Sequence, residues 1–151
     1  MFPFFNRISR KFLWLTLLCL MFTASVDAHL LGASHAECVA LFGEPESCHA
    51  SDLPPAAEAC AFRKGRWGTI IHFWDRRAHC ITSVKLDGTE LTQAEIQATL
   101  SGFGEGQSWV KDARGEIWRS DQQMVASIKG NTISIFSAEF YTAAVLRQAF
   151  H

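Results

Sequence analysis

The chain has no surplus of positive charge: Lys and Arg number 14 against 15 Asp and Glu. That balance argues against a nucleic-acid partner, which needs a basic face to neutralise phosphates. The clusters Arg63-Lys64-Arg66 and Arg76-Arg77 fall at successive turn positions and read as solvated turns, not as one patch. There is also no apolar run suited to a permanent bilayer span. The run Phe12 to Ala24 is 13 residues, interrupted by Thr16 and Thr23, where a spanning helix needs about 20. No G-x-S-x-G elbow, P-loop or H-E-x-x-H occurs, so three common catalytic signatures are missing. Neither C-x-x-C nor H-x-x-x-H spacing is present, which argues against a structural zinc site.

What the first residues do contain is an export signal. Arg7, Arg10 and Lys11 form a basic start, the apolar run follows, and Val26-Asp27-Ala28 supplies small residues at −3 and −1. Leu17 and Leu18 precede Cys19 where a lipobox wants small residues, so lipidation is not indicated. The expected organisation is residues 1–28 as signal peptide and 29–151 as a single α+β domain, periplasmic or secreted, with no membrane span after cleavage. Losing Arg7, Arg10, Lys11 and Asp27 leaves 11 basic and 14 acidic residues on 123 residues of mature chain. A domain of that size buries about two-thirds of its unfolded surface.

Four cysteines remain after the signal: Cys38, Cys48, Cys60 and Cys80. An even number in an oxidising compartment points to two disulfides, with three pairings possible. The expected pairs are Cys48–Cys60, closing the Pro-rich loop Glu44 to Ala59, and Cys38–Cys80, tying the first helix to the sheet. Cys38, Leu41 and Phe42 stand at i, i+3 and i+4, on one apolar stripe. A loop closed at 48 and 60 gains about 3 kcal/mol in the chain-entropy picture. No metal or cofactor is expected.

Two helix starts share one phrase. Ser34-His35-Ala36-Glu37 and Thr92-Gln93-Ala94-Glu95 are capping boxes, in which hydroxyl and carboxylate satisfy two orphan amides reciprocally. Glycine ends each helix, in Phe42-Gly43-Glu44-Pro45 and Phe103-Gly104-Glu105-Gly106. Short β-branched and aromatic segments follow each: Cys60 to Lys64, Thr69 to Trp74 and Ala78 to Lys85, then Ser108 to Asp112, Glu116 to Arg119, Met124 to Ile128 and Thr132 to Phe136. Ser137 caps a closing helix, Ala138 to Phe150. The pattern predicts a small antiparallel sheet with three helices, built from two degenerate α-β-β units, the helices covering one sheet face.

On the uncovered face the pattern places Arg63, His72, Trp74 and His79, the candidate binding residues. His72 alternates with Ile71 and Phe73 and so faces away from them. A nucleophile–base set could be assembled from His72, Asp75, His79 and Ser83, but no motif singles it out, and no catalytic residue is assigned. Trp67, Trp74, Trp109 and Trp118 could form a stacking strip, although such residues more often pack in a small sheet. Cleavage after Ala28 would place His29 at the mature N-terminus, where its amine and imidazole could chelate copper with a second histidine.

The combination of Glu37-Cys38, Phe42-Gly43-x-Pro45, Ile71-x-Phe73, Leu91-Thr92-x-x-Glu95-Ile96, Trp109, Trp118-Arg119 and Thr132 to Ile135 resembles small exported bacterial proteins that carry no assigned activity. A fainter likeness, over residues 34 to 86, is to outer-membrane assembly proteins of the SmpA/OmlA (BamE) type, through Gly-x-Pro after the helix and the turn Phe73-Trp74-Asp75-Arg76. The expectation is an exported, non-catalytic interaction module that contacts protein or glycan at the cell envelope. The alternative is a small exported enzyme or a copper-binding protein using His29.

Overall fold

The computed structural model describes residues 30–149, with side chains as far as Arg147. The expected signal peptide, His29 and the last two residues lie outside that range. Element order is α1 (His35–Phe42), β1 (Ser47–Ala50), β2 (Glu58–Lys64), β3 (Trp67–Trp74), β4 (Arg77–Lys85), α2 (Gln93–Gly102), β5 (Trp109–Lys111), β6 (Ile117–Arg119), β7 (Met124–Lys129), β8 (Thr132–Ser137) and α3 (Ala138–Ala149). All eight strands belong to one sheet, ordered β1-β2-β3-β4-β8-β7-β6-β5.

The expected fold class, a small antiparallel sheet carrying three helices as two α-β-β units, is therefore corrected. Strands dominate the described residues, and each repeat is one helix followed by a four-stranded meander. The two meanders join edge to edge where β4 and β8 pair antiparallel, from Cys80↔Phe136 to Val84↔Thr132. The strand not foreseen in the first repeat is β1, which lies within the stretch expected to be a loop. Its four residues are exposed and lack alternation, so no hydrophobic period announces it.

Both capping boxes form. Ser34 and Thr92 accept from the amides of Glu37 and Glu95, whose carboxylates take the Ser34 and Thr92 amides in return. The glycines after the two helices act differently. Gly43 takes φ 86° and ψ −171°, open only to a residue without Cβ. At Gly104 a Cβ would meet three backbone oxygens at 3.2–3.3 Å.

The sheet buries one face under α1, α2 and the segment Leu30 to Ala33. Cys38, Phe62, Ile71, Phe73, Ala78, Ile81, Leu100, Met124, Ile133 and Ile135 belong to this core. The other face carries α3, which packs Phe140 against Cys80 and Ala56 with Trp74 and Phe136 beside them. Helices thus sit on both faces, contrary to the expectation that one face would take all three. A bulge between β3 and β4 causes a second departure: His72 pairs with Cys80 but Phe73 pairs with Ala78. The extra residue, His79, breaks the alternation. Ala78 points into the α1 core, while Cys80 turns to the α3 face and contacts Thr82. Cys38 and Cys80 therefore lie on opposite sides of the sheet. Both are free buried thiols, and the expected Cys38–Cys80 disulfide is not formed. Cys48–Cys60 is formed, across directly paired residues of β1 and β2.

Glu95 does more than complete a cap. Its carboxylate also accepts from the buried Lys85 ammonium at 3.2 Å and from Arg66 at 2.9 Å, pinning α2 to β4 and to the β2–β3 turn. Removing it strands a buried cation, whose remaining partner is the Glu90 carbonyl. Thr92→Ala is expected to lower stability by about 1 kcal/mol, and Glu95→Ala by more. That order reverses what the capping box alone implies, and denaturant melts of the two variants side by side test it.

Candidate functional site

Beneath α3 the rings form a continuous chain across the sheet. Trp74 of β3 contacts His79 of β4 (centroids 5.2 Å) and Phe140 of α3 (6.1 Å). Phe140 stacks on Phe136 of β8 at 6.4 Å, Phe136 meets Tyr141 at 5.7 Å, and Tyr141 meets Trp118 of β6 edge-on at 5.8 Å. Two polar ties set the helix. Ser137 Oγ accepts the Phe140 amide, capping α3, and lies 2.8 Å from His79 Nδ1. The Tyr141 hydroxyl donates to Glu116, and that bond together with burial pushes the phenol up to about 12.

An open cleft lies at each end of this chain. The first, about 390 Å³, is lined by Trp74, Asp75, Arg77, His79 and Glu139. It contains an indole, two carboxylates, a guanidinium and an imidazole. Its rim is the two-residue turn Asp75-Arg76, whose φ values of 49° and 62° are left-handed. Aspartate tolerates that conformation, whereas for arginine it costs about 1–2 kcal/mol. Positive φ at both residues is what a two-residue hairpin turn between β3 and β4 requires. The second cleft, about 510 Å³, includes Val110, Asp112, Arg114, Trp118 and Arg119. Arg119 alternates with Trp118, and its buried guanidinium is held on the α2 side by both carboxylate oxygens of Asp121, by Glu105 and by the Phe103 carbonyl. A third space, about 500 Å³ beneath α2, is lined by Ile96, Leu100, Trp109 and Ile117. The Trp109 indole donates to the Leu100 carbonyl there, so this is a packing crevice of the core side.

All four candidate binding residues lie on the α3 side of the sheet, in different settings. Arg63 is exposed. Trp74 and His79 are half-buried and share the first cleft. His72 is 7% exposed, its Nδ1 2.8 Å from Ser51 Oγ, under the turn that follows β1. The Ser51 hydroxyl also accepts the Leu53 amide, which makes the pair a tie between turn and sheet. Ser83 pairs with Thr69 and Ile133, two residues of the α1–α2 side, so the set His72, Asp75, His79 and Ser83 is not assembled. Of the four tryptophans, Trp74 and Trp118 join the ring chain, whereas Trp67 and Trp109 alternate onto the other face. Sequence reasoning overlooked Phe140, Tyr141 and Glu139. The run of aromatics after Ser137 was visible, but nothing local told on which face α3 would land.

A second cluster sits on the α1 side. His35 Nε2 lies 3.5 Å from Cys60 Sγ and 3.9 Å from Cys48 Sγ, with Phe73 edge-on to its ring at 5.5 Å. Cys48 is exposed, whereas the two free thiols are as fully buried as Cys60. Burial pushes Cys38 up to about 11 and Cys80 up to about 12, which keeps both protonated and unreactive.

No family model matches the chain, and no characterised protein matches it in sequence. Among solved structures, a cysteine-rich secretory protein from Staphylococcus aureus subsp. aureus Mu50 superposes with a TM-score of 0.43 and 10% identity. The match covers 73% of this chain and 44% of that one, so the chain spans less than half of that protein's length. Likeness at this level carries no argument. The disulfide itself is consistent with a chain that meets an oxidising compartment.

Burial holds both His72 and His79 below the ordinary imidazole value, with nearby Asp52 and Glu139 opposing it respectively. A depressed folded value means that the unfolded chain takes up protons first as pH falls. The stabilisation is complete above the unfolded value of about 6.5 and is lost as pH drops through the folded ones. The melting temperature is expected to fall between pH 7.5 and 5.5. The double variant His72→Asn, His79→Asn should show a flatter profile over that window, and an unchanged slope would assign the loss to other groups.

Proposed function

We propose that the protein is an exported, non-catalytic interaction module, periplasmic or secreted, which binds another protein at the cell envelope through the α3 side of its sheet. The observation that carries the reading is the ring chain with an open cleft at each end. It offers half-buried Trp74 and Trp118 beside charges of both signs, a combination that concentrates binding energy in few residues. Exposed apolar side chains extend the surface: Val145 and Leu146 on α3 and Val110 on β5. Between the two clefts Thr82 and Ser134 are hydrogen-bonded to each other across the β4–β8 seam.

A protein partner suits this surface better than a glycan. A sugar stacks on a free ring face, whereas both indoles here are already engaged by neighbouring rings. The clefts are open and spread over several strands, the form of a protein interface rather than of a slot for a small ligand.

The test compares variants in quantitative capture from envelope extracts, with thermal melts alongside. Leu146→Asp and Glu139→Lys alter exposed positions of α3. Each is expected to reduce recovery of one defined protein about tenfold or more, with melting unchanged. Leu41→Asp, on the exposed side of α1, should leave recovery intact. Equal recovery from all three, or binding to a glycan array in place of a protein, overturns the proposal.

A further inference from the structure

The cluster on the α1 side goes beyond the interaction reading and does not depend on it. We infer that His35, Cys48 and Cys60 form a redox-gated site for a thiophilic d10 cation such as Zn²⁺. Their three donor atoms lie within 4.8 Å of one another. In a tetrahedral site with metal–sulfur bonds of ~2.3 Å and a metal–nitrogen bond of ~2.05 Å, each nitrogen–sulfur edge is ~3.6 Å and the sulfur–sulfur edge ~3.8 Å. The two nitrogen–sulfur edges, at 3.5 and 3.9 Å, already stand close to those lengths. The third edge is the disulfide bond, so the site requires its cleavage and an outward movement of one sulfur.

Each ligand is held in a way that suits this change. His35 is the first residue of α1, fixed by the Ser34–Glu37 capping box and by the edge of Phe73. Cys60 is fully buried in β2 and anchors one sulfur in the core. Cys48 sits on β1, a four-residue edge strand exposed throughout and paired on one side only. It can swing outward by the required distance without disturbing the core. Because His35 and Cys48 are exposed, a fourth position opens to solvent, where a water or an external donor would complete the tetrahedron. His49 is not a ligand. It alternates to the opposite face of β1, on the side where its charge acts on His72.

The chemistry balances in two steps. A dithiol reduces the disulfide by two electrons, giving two protein thiols while itself closing to a disulfide. In the test tube a water-soluble phosphine does the same, taking oxygen from water to become its oxide. The cation then binds both sulfurs and the His35 nitrogen, releasing the two thiol protons. In the oxidised form the sulfur pairs carry no thiolate charge, and the site is closed to the ion.

The experiment uses the whole exported protein, oxidised or phosphine-reduced under argon, titrated with Zn²⁺ against a chromophoric chelator. Co²⁺ serves as the spectroscopic substitute, and near-ultraviolet circular dichroism monitors the fold. One equivalent should bind to the reduced protein, with thiolate-to-cobalt charge transfer, and none to the oxidised protein. His35→Ala should weaken the reduced site at least tenfold and Cys48→Ser should remove most of the charge transfer, while His49→Ala and Cys38→Ala leave binding unchanged. The inference is overturned by equal binding in both redox states, by undiminished binding in His35→Ala, by dependence on Cys38, or by loss of the near-ultraviolet signal on reduction alone.

Discussion

The pairing of β4 with β8 is the constraint on which the rest of the structure depends. Each four-stranded meander, with its own helix of eight or ten residues, would leave an apolar edge strand open to solvent and to other chains. Joined, the two edges bury Ile81, Ile133 and Ile135 on the helix side and close Thr82 onto Ser134 on the other. Asn131 seals one end: its carbonyl takes the Lys85 amide and its side-chain amide donates to the Lys85 carbonyl. What remains at the two rims are the short strands β1 and β5, of four and three residues, too brief to recruit further strands easily.

From this seam the two faces acquire different work. On one side α1 and α2 pack over an apolar core that runs unbroken through both repeats, which leaves that side little freedom to engage a partner. On the other, α3 follows directly from β8 and lies beside the seam. Its Phe140 meets rings of the first repeat while its Tyr141 meets rings of the second. The candidate surface is thus a product of the union, and neither repeat could form it alone. The cysteines divide in the same way. Cys48 sits exposed beside His35 at the rim with buried Cys60 behind it, whereas Cys38 and Cys80 are sealed on opposite sides of the sheet.

Much of the local structure was legible in the sequence, because local chemistry writes it. The hydroxyl and Glu of each capping box, the turns around Gly65 and Asp75-Arg76, and the Cys48–Cys60 closure all follow from residues near one another in the chain. Less legible were features decided at a distance. The fourth strand of the first unit, β1, was the one not read, because exposed Ser47 to Ala50 has no period to read. The face of Cys80 depended on one extra residue, His79, in the ladder, and a one-residue bulge inverts every side chain beyond it. The burial of His72 beneath Ser51 and the landing of α3 on the second face were likewise settled by tertiary packing. For the same reason His35 drew no notice: its sulfur neighbours stand 13 and 25 positions away, brought close only by register.

The most direct test of a single sheet built from two interdependent repeats is native-state hydrogen exchange, resolved by residue. If the β4–β8 seam makes the halves one cooperative unit, the slowest amides of β3, β4, β7 and β8 should share one opening free energy, equal to that of global unfolding, and respond alike to denaturant. Two distinct thresholds, with β2 to β4 opening while β7 and β8 stay protected or the reverse, would contradict the account. The repeats would then be separate folding units that merely touch.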